Sequence, residues 1–240
     1  MTNGAKTQLA NGPAALKLNS RTRLIEATIN LMVRRDSIDI TLGEIAAEAG
    51  LNAALVKYHF GNKNKLMLAI LFSIVLPGLH SLETLVRGEI PAKRKMEIHI
   101  NAMIATLWRY PFLNRLTRYL MSPPERVEAK EISETFTRPF LKYQRDIFEA
   151  GVRSGDFKRA DPLLFYMILS GMSEALLDLR PTLRQVFGIE TITPELCAWY
   201  SRSVVGMIAN GILTERDAAL AIPSDSFSSI LQPTFIFKNI

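Results

Sequence analysis

"TLGEIAAEAGLNAALVKYHF", running from Thr41 to Phe60, is the stretch that decides the fold. Two short helix-forming runs stand side by side, parted by an Ala-Gly break, and the second closes on Lys57-Tyr58-His59. Two short helices that cross steeply through a tight turn need a tiny side chain at the crossing and a residue tolerant of positive φ at the turn. Ala46 meets the first need and Gly50 the second. Thr41 reads as an N-cap, with Glu44 three residues on as its capping-box partner. Leu51, Leu55 and Val56 are spaced to lock the second helix onto Ile45 and Ala49. This spacing is the helix-turn-helix pattern.

The second helix, Asn52 to His59, then presents Asn52, Ala53, Ala54, Lys57, Tyr58 and His59 away from its Leu55/Val56 anchor. Small residues at its start let the backbone approach base edges in a major groove. The cation, phenol and imidazole near its end suit phosphate oxygens. Thr41 and the first amides of its own helix are expected to form a second phosphate site. Taken alone, the same pattern also fits a helical hairpin whose Lys57 and His59 are merely solvated.

The rest of the chain is consistent with a nucleic-acid partner. Of its 240 residues, 48% are apolar and 22% charged, enough for a sizeable core. The net charge is +6 and the sequence pI near 9.5. Residues 1–66 hold nine cations against five carboxylates, so +4 of the +6 lies at the N-terminal end. Cys197 stands alone, which excludes an intrachain disulfide and fits a reducing cytoplasm. The first twenty residues lack the apolar core of a secretory signal. The longest uncharged run, Leu66–Leu82, contains Pro77 and falls just short of the roughly 18 residues of a membrane span, so a buried helix breaking at Pro77 is expected rather than a membrane segment.

Helical spacing recurs throughout, and the expected fold class is all-α. A first helix is predicted from Ser20 as N-cap, with Leu24, Ile25, Ile29, Leu31, Met32 and Val33 as its apolar face. Asn62 can cap a fourth helix, and others are suggested over Lys93–Arg109, Phe112–Met121 and Pro124–Arg153. Pro139 should kink or split the last of these. Asp161-Pro162 and Thr193-Pro194-Glu195 each read as an N-cap followed by a first-turn proline, and the last helix ends near Asn210-Gly211.

"RLIEATINLM" (Arg23–Met32), "ITLGEIAAEAGLNAALVKYHFGNKNKL" (Ile40–Leu66) and, later, "EAGVRSGDF" (Glu149–Phe157) followed by Asp161-Pro162 resemble the TetR family of bacterial transcriptional regulators. The resemblance implies a three-helix DNA-binding domain, a larger helical ligand-binding domain and a homodimer built on the last two helices. It makes Thr41, Tyr58, His59 and Lys63 phosphate contacts, with Phe60 in the core. Three positions depart from the family's habit. Asn52 stands where Ser or Thr is usual, Ala54 where Gly is common, and Lys57 where Tyr is frequent. Lys57 keeps phosphate-binding ability, while Asn52 pairs well with adenine and points to a different base preference.

The expected division is a flexible arm over residues 1–19, the helix-turn-helix domain over 20–66, a ligand-binding and dimerisation domain over 67–213, and a tail over 214–240. Lys17, Arg21 and Arg23 are candidates for an arm reaching a minor groove or flanking phosphates. The tail is unusually apolar around Ile230, Leu231 and Phe235–Phe237.

In the second half, Asp161–Leu179 is apolar on nearly all sides, which favours burial between two subunits. The last helix adds Trp199, Tyr200, Val204, Val205, Met207 and Ile208. A dimer would read a palindromic operator in double-stranded DNA. Met103, Trp108, Phe112, Tyr119, Phe140, Tyr143, Phe165 and Tyr166 are candidates to line a cavity for an apolar small-molecule effector, although rings and thioethers at such spacing are also plain core. Arg109, Arg115 and Arg118 are candidates to orient an anionic group on it.

No enzyme chemistry is expected. His59, His80 and His99 lack metal-ligand spacing, Cys197 has no base beside it, and no phosphate-cradling glycine loop or cofactor motif is present. The reading is a ligand-responsive repressor released from its operator by population shift. The alternative is a helical ligand-binding or protein-interaction module that no longer reads DNA.

Overall fold

Caps and helix stops set the element boundaries. The computed structural model describes residues 13–210, and all regular structure among them is helical. The elements are α1 (Pro13–Arg35), α2 (Leu42–Ala49), α3 (Ala54–Phe60), α4 (Lys63–Arg87), α5 (Ala92–Arg109) and α6 (Leu113–Met121). They continue with α7 (Val127–Ile132), α8 (Arg138–Ser154), α9 (Pro162–Asp178), α10 (Arg180–Phe187) and α11 (Pro194–Asn210). The segment expected as an arm, up to residue 12, and the apolar tail over 214–240 lie outside the described residues.

The capping signals at Thr41, Asn62 and Asp161 are all used. Thr41 and Glu44 form the reciprocal capping box. Asn62 Oδ1 accepts from the Lys65 N–H at 2.9 Å. Asp161 Oδ1 accepts from the Leu163 and Leu164 N–H groups. Gly50 takes the left-handed conformation, φ 60°, that ends α2.

Several expectations need correcting. Helix α1 begins at Pro13, so Ser20 lies within it and is not its N-cap, and Pro13–Asn19 is helical. Val33 is exposed rather than part of the buried face. Helix α4 does not break at Pro77 but runs on to Arg87. Pro77 and Ser73 are both exposed, so water can reach the Ser73 carbonyl that the proline leaves without its helical donor. An unbroken α4 is long and apolar enough to cross a membrane by length and composition; Leu66, Met67, Leu68, Ile70 and Leu71 are instead buried in protein. Finally, α3 begins at Ala54, so Asn52 and Ala53 precede the helix rather than open it, and α10, which the sequence reading did not anticipate, follows α9 at once, with Pro181 in its first turn.

Pro139 is expected to kink or split its helix; the structure instead interrupts the α-helical pattern with one wider turn just before it. A π-helical turn, Ser133–Thr137, joins α7 to α8, and the Arg138 N–H reaches back to the Ser133 carbonyl. The wider turn accommodates the proline ring and its missing donor without ending the helix.

Packing divides the described residues into two units, residues 13–74 with Pro111–Lys130, and Val75–Tyr110 with residues 131–210. The division is not a single cut near residue 66: α4 continues from the first unit into the second, and α6 belongs with the N-terminal helices. In the first unit, α1, α2 and α3 pack on one another, and Leu24, Leu31, Met32, Ile40, Ile45 and Val56 are buried. Helix α6 buries Phe112, Leu116 and Leu120, pairs Arg115 with Asp36, and sets the Tyr119 hydroxyl on Asn64 Oδ1 at 2.9 Å.

In the second unit, α5, α8, α9 and α11 surround a core that includes Met96, Ile100, Ile104, Ile147, Phe148 and Val204. The corner after α8 explains the glycines of the "EAGVRSGDF" stretch. A Cβ on Gly151 would lie 2.0 Å from the Phe157 ring, which stacks on Phe148. Gly155 ends α8 in the left-handed region at φ 81°.

Candidate nucleic-acid interface

The recognition helix is mounted on α2, and α2 is held by three arginines of α1. Arg34 makes a two-pronged contact with Glu48 at 3.0 and 2.8 Å. Arg35 Nη1 meets Glu44 Oε1 at 2.6 Å, and Arg23 Nη2 donates to the Ala49 carbonyl at 2.6 Å, closing the C-terminus of α2. Arg23 therefore braces α2 and is not part of an arm. Arg21 lies over the Phe60 ring at 5.2 Å. Much of the N-terminal cationic excess thus grips the head itself.

Thr41 both donates and accepts in the capping box. Its hydroxyl donates to Glu44 Oε2 at 2.8 Å and accepts from the Glu44 N–H at 3.3 Å. The Thr41 N–H on Glu44, foremost, and then Arg35 hold that carboxyl down at about 2. A phosphate approaching Thr41 meets an acceptor already in place.

Helix α3 and the turn before it present the expected face. Val56 and Phe60 are buried, while Asn52, Ala53, Ala54, Lys57 and Tyr58 are exposed, Tyr58 by 64%. Lys63 is half-buried at the start of α4. Asn52 also serves the local fold, since its Oδ1 accepts from the Ala54 N–H at 2.8 Å in the turn before the helix. His59 is half-buried, with its Nε2 2.7 Å from the Ser20 hydroxyl and its ring edge-on to Tyr58. The face combines small residues, an amide, a cation and a phenol, the chemistry of base edges and phosphates.

Sequence reasoning missed the bracing roles of Ser20, Arg21 and Arg23. A signal was present, since Ser20 continues the stripe Leu24–Ala27–Leu31 one turn upstream.

The effector candidates do not form one cluster. Met103, Phe140, Tyr143 and Phe165 are partly buried against the core of the second unit. Tyr166 is half-buried, and Trp108, 38% exposed, points its N–H at the Ile192 carbonyl at 3.4 Å. Phe112 and Tyr119 belong to the first unit, where Phe112 is fully buried. Helical spacing reveals that α6 has an apolar face but not which neighbour covers it. The three arginines do not form an anion site either. Arg115 pairs with Asp36, Arg118 is exposed, and Arg109 lies exposed over the Tyr110 ring.

His99 and Gln144 were not foreseen as a pair. Both are buried, and Gln144 Nε2 lies 3.3 Å from His99 Nε2. Their positions on the apolar stripes of α5 (Met96, His99, Met103) and α8 (Phe140, Gln144, Ile147) were the available signal. Burial drives the imidazole down to about 4, so it is neutral at neutral pH. Among the described residues, no group of three or more His, Cys, Asp or Glu is placed to hold a metal ion.

The chain is similar to known regulators along nearly all of its described length. The family described as "Tetracyclin repressor-like, C-terminal domain" matches residues 89–218, and "Bacterial regulatory proteins, tetR family" matches residues 24–70. The HTH-type transcriptional regulator BetI of Brucella anthropi is 47% identical over 49 residues, 20% of this chain and 25% of that protein. Its counterpart in Agrobacterium fabrum is 34% identical over 55 residues, 23% of this chain and 27% of that one. The chain thus matches about a quarter of the length of these curated relatives. Among solved structures, FadR of Bacillus subtilis in complex with stearoyl-CoA superposes with a TM-score of 0.62 at 18% identity, covering 80% of this chain and 99% of that one. PfmR of Thermus thermophilus, a TetR family regulator, superposes at 0.61 with 19% identity, covering 80% and 100%. At such identities the structural likeness speaks for the fold. With one match spanning more than half of the chain and a second covering the helix-turn-helix, the protein belongs to the TetR family of bacterial transcriptional regulators.

Proposed function

We propose that the protein is a ligand-responsive repressor that binds a palindromic operator as a homodimer and is released by an apolar small molecule. The observation that carries the reading is the exposed face made by the turn before α3 and by α3 itself, where Asn52, Ala53, Ala54, Lys57 and Tyr58 stand clear of a buried Val56/Phe60 anchor. Asn52, Ala53 and Ala54 read base edges; Lys57, Tyr58, His59 and Lys63 hold phosphates, and Thr41 joins them only where its hydroxyl turns away from Glu44. His59 approaches the backbone braced by Ser20.

The dimer draws support from α9 and α11. Met167, Ile168, Trp199 and Met207 are exposed in the single chain, Trp199 by 59%, an unusual load of apolar surface for two neighbouring helices. Part of α11 faces its own core instead, with Val204 buried and the Tyr200 hydroxyl on the Met172 carbonyl. A second copy of this chain seated on α9 and α11 gives two reading heads related by a two-fold axis. The apolar effector is supported by the half-buried rings of the second unit and by the stearoyl-CoA held by the Bacillus subtilis neighbour. Effector binding shifts the population toward a head spacing that no longer fits the operator. A bacterial regulator of this kind works in the cytoplasm.

Duplexes selected from a random pool test the reading. The expected result is a palindromic consensus bound by a species of twice 26.9 kDa. Affinity should fall steeply with salt, log K against log salt having a slope of about −0.9 per phosphate contacted. Lys63→Ala should weaken selected and random duplexes alike and flatten that slope by about one per head. A monomer indifferent to DNA in dilute buffer would instead favour a module that has lost DNA reading.

A further inference from the structure

The recognition helix is short. Helix α3 has seven residues, of which Val56 and Phe60 are buried. Seven residues make about two turns, too few for a helix to keep its shape and place by its own bonds. Its C-terminal end is held from α1. The Ser20 hydroxyl lies 2.7 Å from His59 Nε2, across 39 positions of sequence, and the Arg21 guanidinium lies over the Phe60 ring at 5.2 Å. Two consecutive residues of α1 thus meet two consecutive residues of α3.

The contact bears on the imidazole in particular. Ser20 and His59 are both half-buried, and the rings of Tyr58 and Phe60 stand edge-on to that of His59, with centroids 5.1 and 6.2 Å away. With Nε2 on Ser20, a phosphate oxygen meets the ring at its other nitrogen, Nδ1. A hydrogen bond to an anion needs a proton on that nitrogen, and a neutral imidazole carries one proton for its two nitrogens. A hydroxyl donates as well as accepts, so Ser20 can satisfy a bare Nε2 while the proton stays on Nδ1. An apolar side chain at position 20 cannot.

We propose that Ser20 is a positioning residue for DNA binding: its hydroxyl donates to His59 Nε2, fixes the ring and its tautomer, and aims the Nδ1–H at a phosphate oxygen. Ser20 acts through His59 and reads no base. The role deepens the reading of the protein as a DNA-binding regulator and rests on it, because it takes His59 as a phosphate contact.

A double-mutant cycle on the full chain tests the role, with the duplex selected from a random pool as the probe. Ser20→Ala should weaken binding by about threefold per head, roughly tenfold for a dimer, which is the worth of an ordinary hydrogen bond. Random duplexes should lose as much as the selected one, since a phosphate contact carries no sequence information. In the His59→Phe background the same change should cost less than about twofold, because the group it acts through is gone. Support of α1 alone would not give that pattern: alanine is a better helix former than serine, and any other structural loss would be equal in both backgrounds. Nitrogen-15 NMR of the wild-type complex at pH 8, with the His59 ring assigned by its loss in His59→Phe, should find the proton on Nδ1 and none on Nε2. That measurement decides even where a variant does not fold. Equal losses in both backgrounds, no loss on Ser20→Ala, or a proton on Nε2 would overturn the proposal. A wild type that binds the duplex while giving any of these outcomes sinks the role of Ser20 alone, whereas a wild type that binds no duplex sinks the regulator with it.

Discussion

In the first unit, charged side chains at the surface tie helix to helix. Arg34 holds Glu48, Arg35 holds Glu44, and Arg23 closes the end of α2. In the second unit, two links between helices are neutral, Gln144 on His99 in the interior and the Ser201 hydroxyl on Asn101, beside one charged link, the Lys95 ammonium on the Val86 carbonyl. The contrast suits two roles. A head that lies along a polyanion gains from cations near its surface, and surface pairs cost little to form or exchange. An apolar interior has to stay uncharged, because a buried ion without a partner is costly.

Acid should separate the two regions most sharply. Burial holds His99 at about 4 in the folded chain, below its ordinary 6.5. As pH falls below about 6.5 the unfolded chain takes up a proton that the folded chain refuses, so stability is lost down to about 4 and no further. The full effect is on the order of 3 kcal/mol, and His99→Phe should flatten the dependence measured by urea unfolding between pH 7 and 4. Glu44, held at about 2, behaves differently. Its contribution is present above the ordinary carboxylate range and fades only as pH falls from about 4.5 toward 2. A wild-type and variant pair with the same pH slope would remove the buried imidazole from the contrast.

Gly151→Ala comes next. The new methyl group collides with the Phe157 ring, and overpacking of this kind costs about 1–3 kcal/mol. Thermal unfolding should show the loss in the second unit. DNA affinity at low temperature should be unchanged, and a parallel loss of DNA binding would show that the units do not act separately.

Asn52 sharpens the division between holding and reading. Asn52→Ala removes the acceptor for the Ala54 N–H and should cost about 0.5–1.5 kcal/mol as well as base preference. Asn52→Ser keeps an acceptor oxygen in the turn, so it should recover most of the stability while the selected consensus still changes. An unchanged consensus in both variants would confine Asn52 to its turn.

The smallest effect belongs to the surface pairs. Arg34→Ala should lower stability by less than about 1 kcal/mol, and the loss should shrink further at 1 M salt. A larger, salt-resistant loss in chemical unfolding would mean that the arginine clamp is more than a surface pair.

Legibility also differed between the two regions. In the head, each assignment rested on neighbours within a few residues: Thr41 with Glu44, Ala46 with Gly50, Val56 with Phe60. The second half was legible only as helices. Phe112 and Tyr119 share the aromatic character of Phe140 and Tyr143, yet α6 packs in the other unit. Pro77 and Pro139 look alike in a helical pattern. The first is exposed within a continuous helix, whereas the second follows a π-helical turn.

Local chemistry, then, determined the all-helical class, the caps at Thr41, Asn62 and Asp161, the tight turn at Gly50 and the residues exposed along α3 and the turn before it, because each depends on side chains within one or two helical turns. The tertiary structure alone decided that Arg23 braces α2, that Ser20 meets His59, that α6 belongs with the head, and that His99 faces Gln144. Those pairings join helices far apart in the chain. Periodicity reveals that a face is apolar or polar, while only packing chooses its partner.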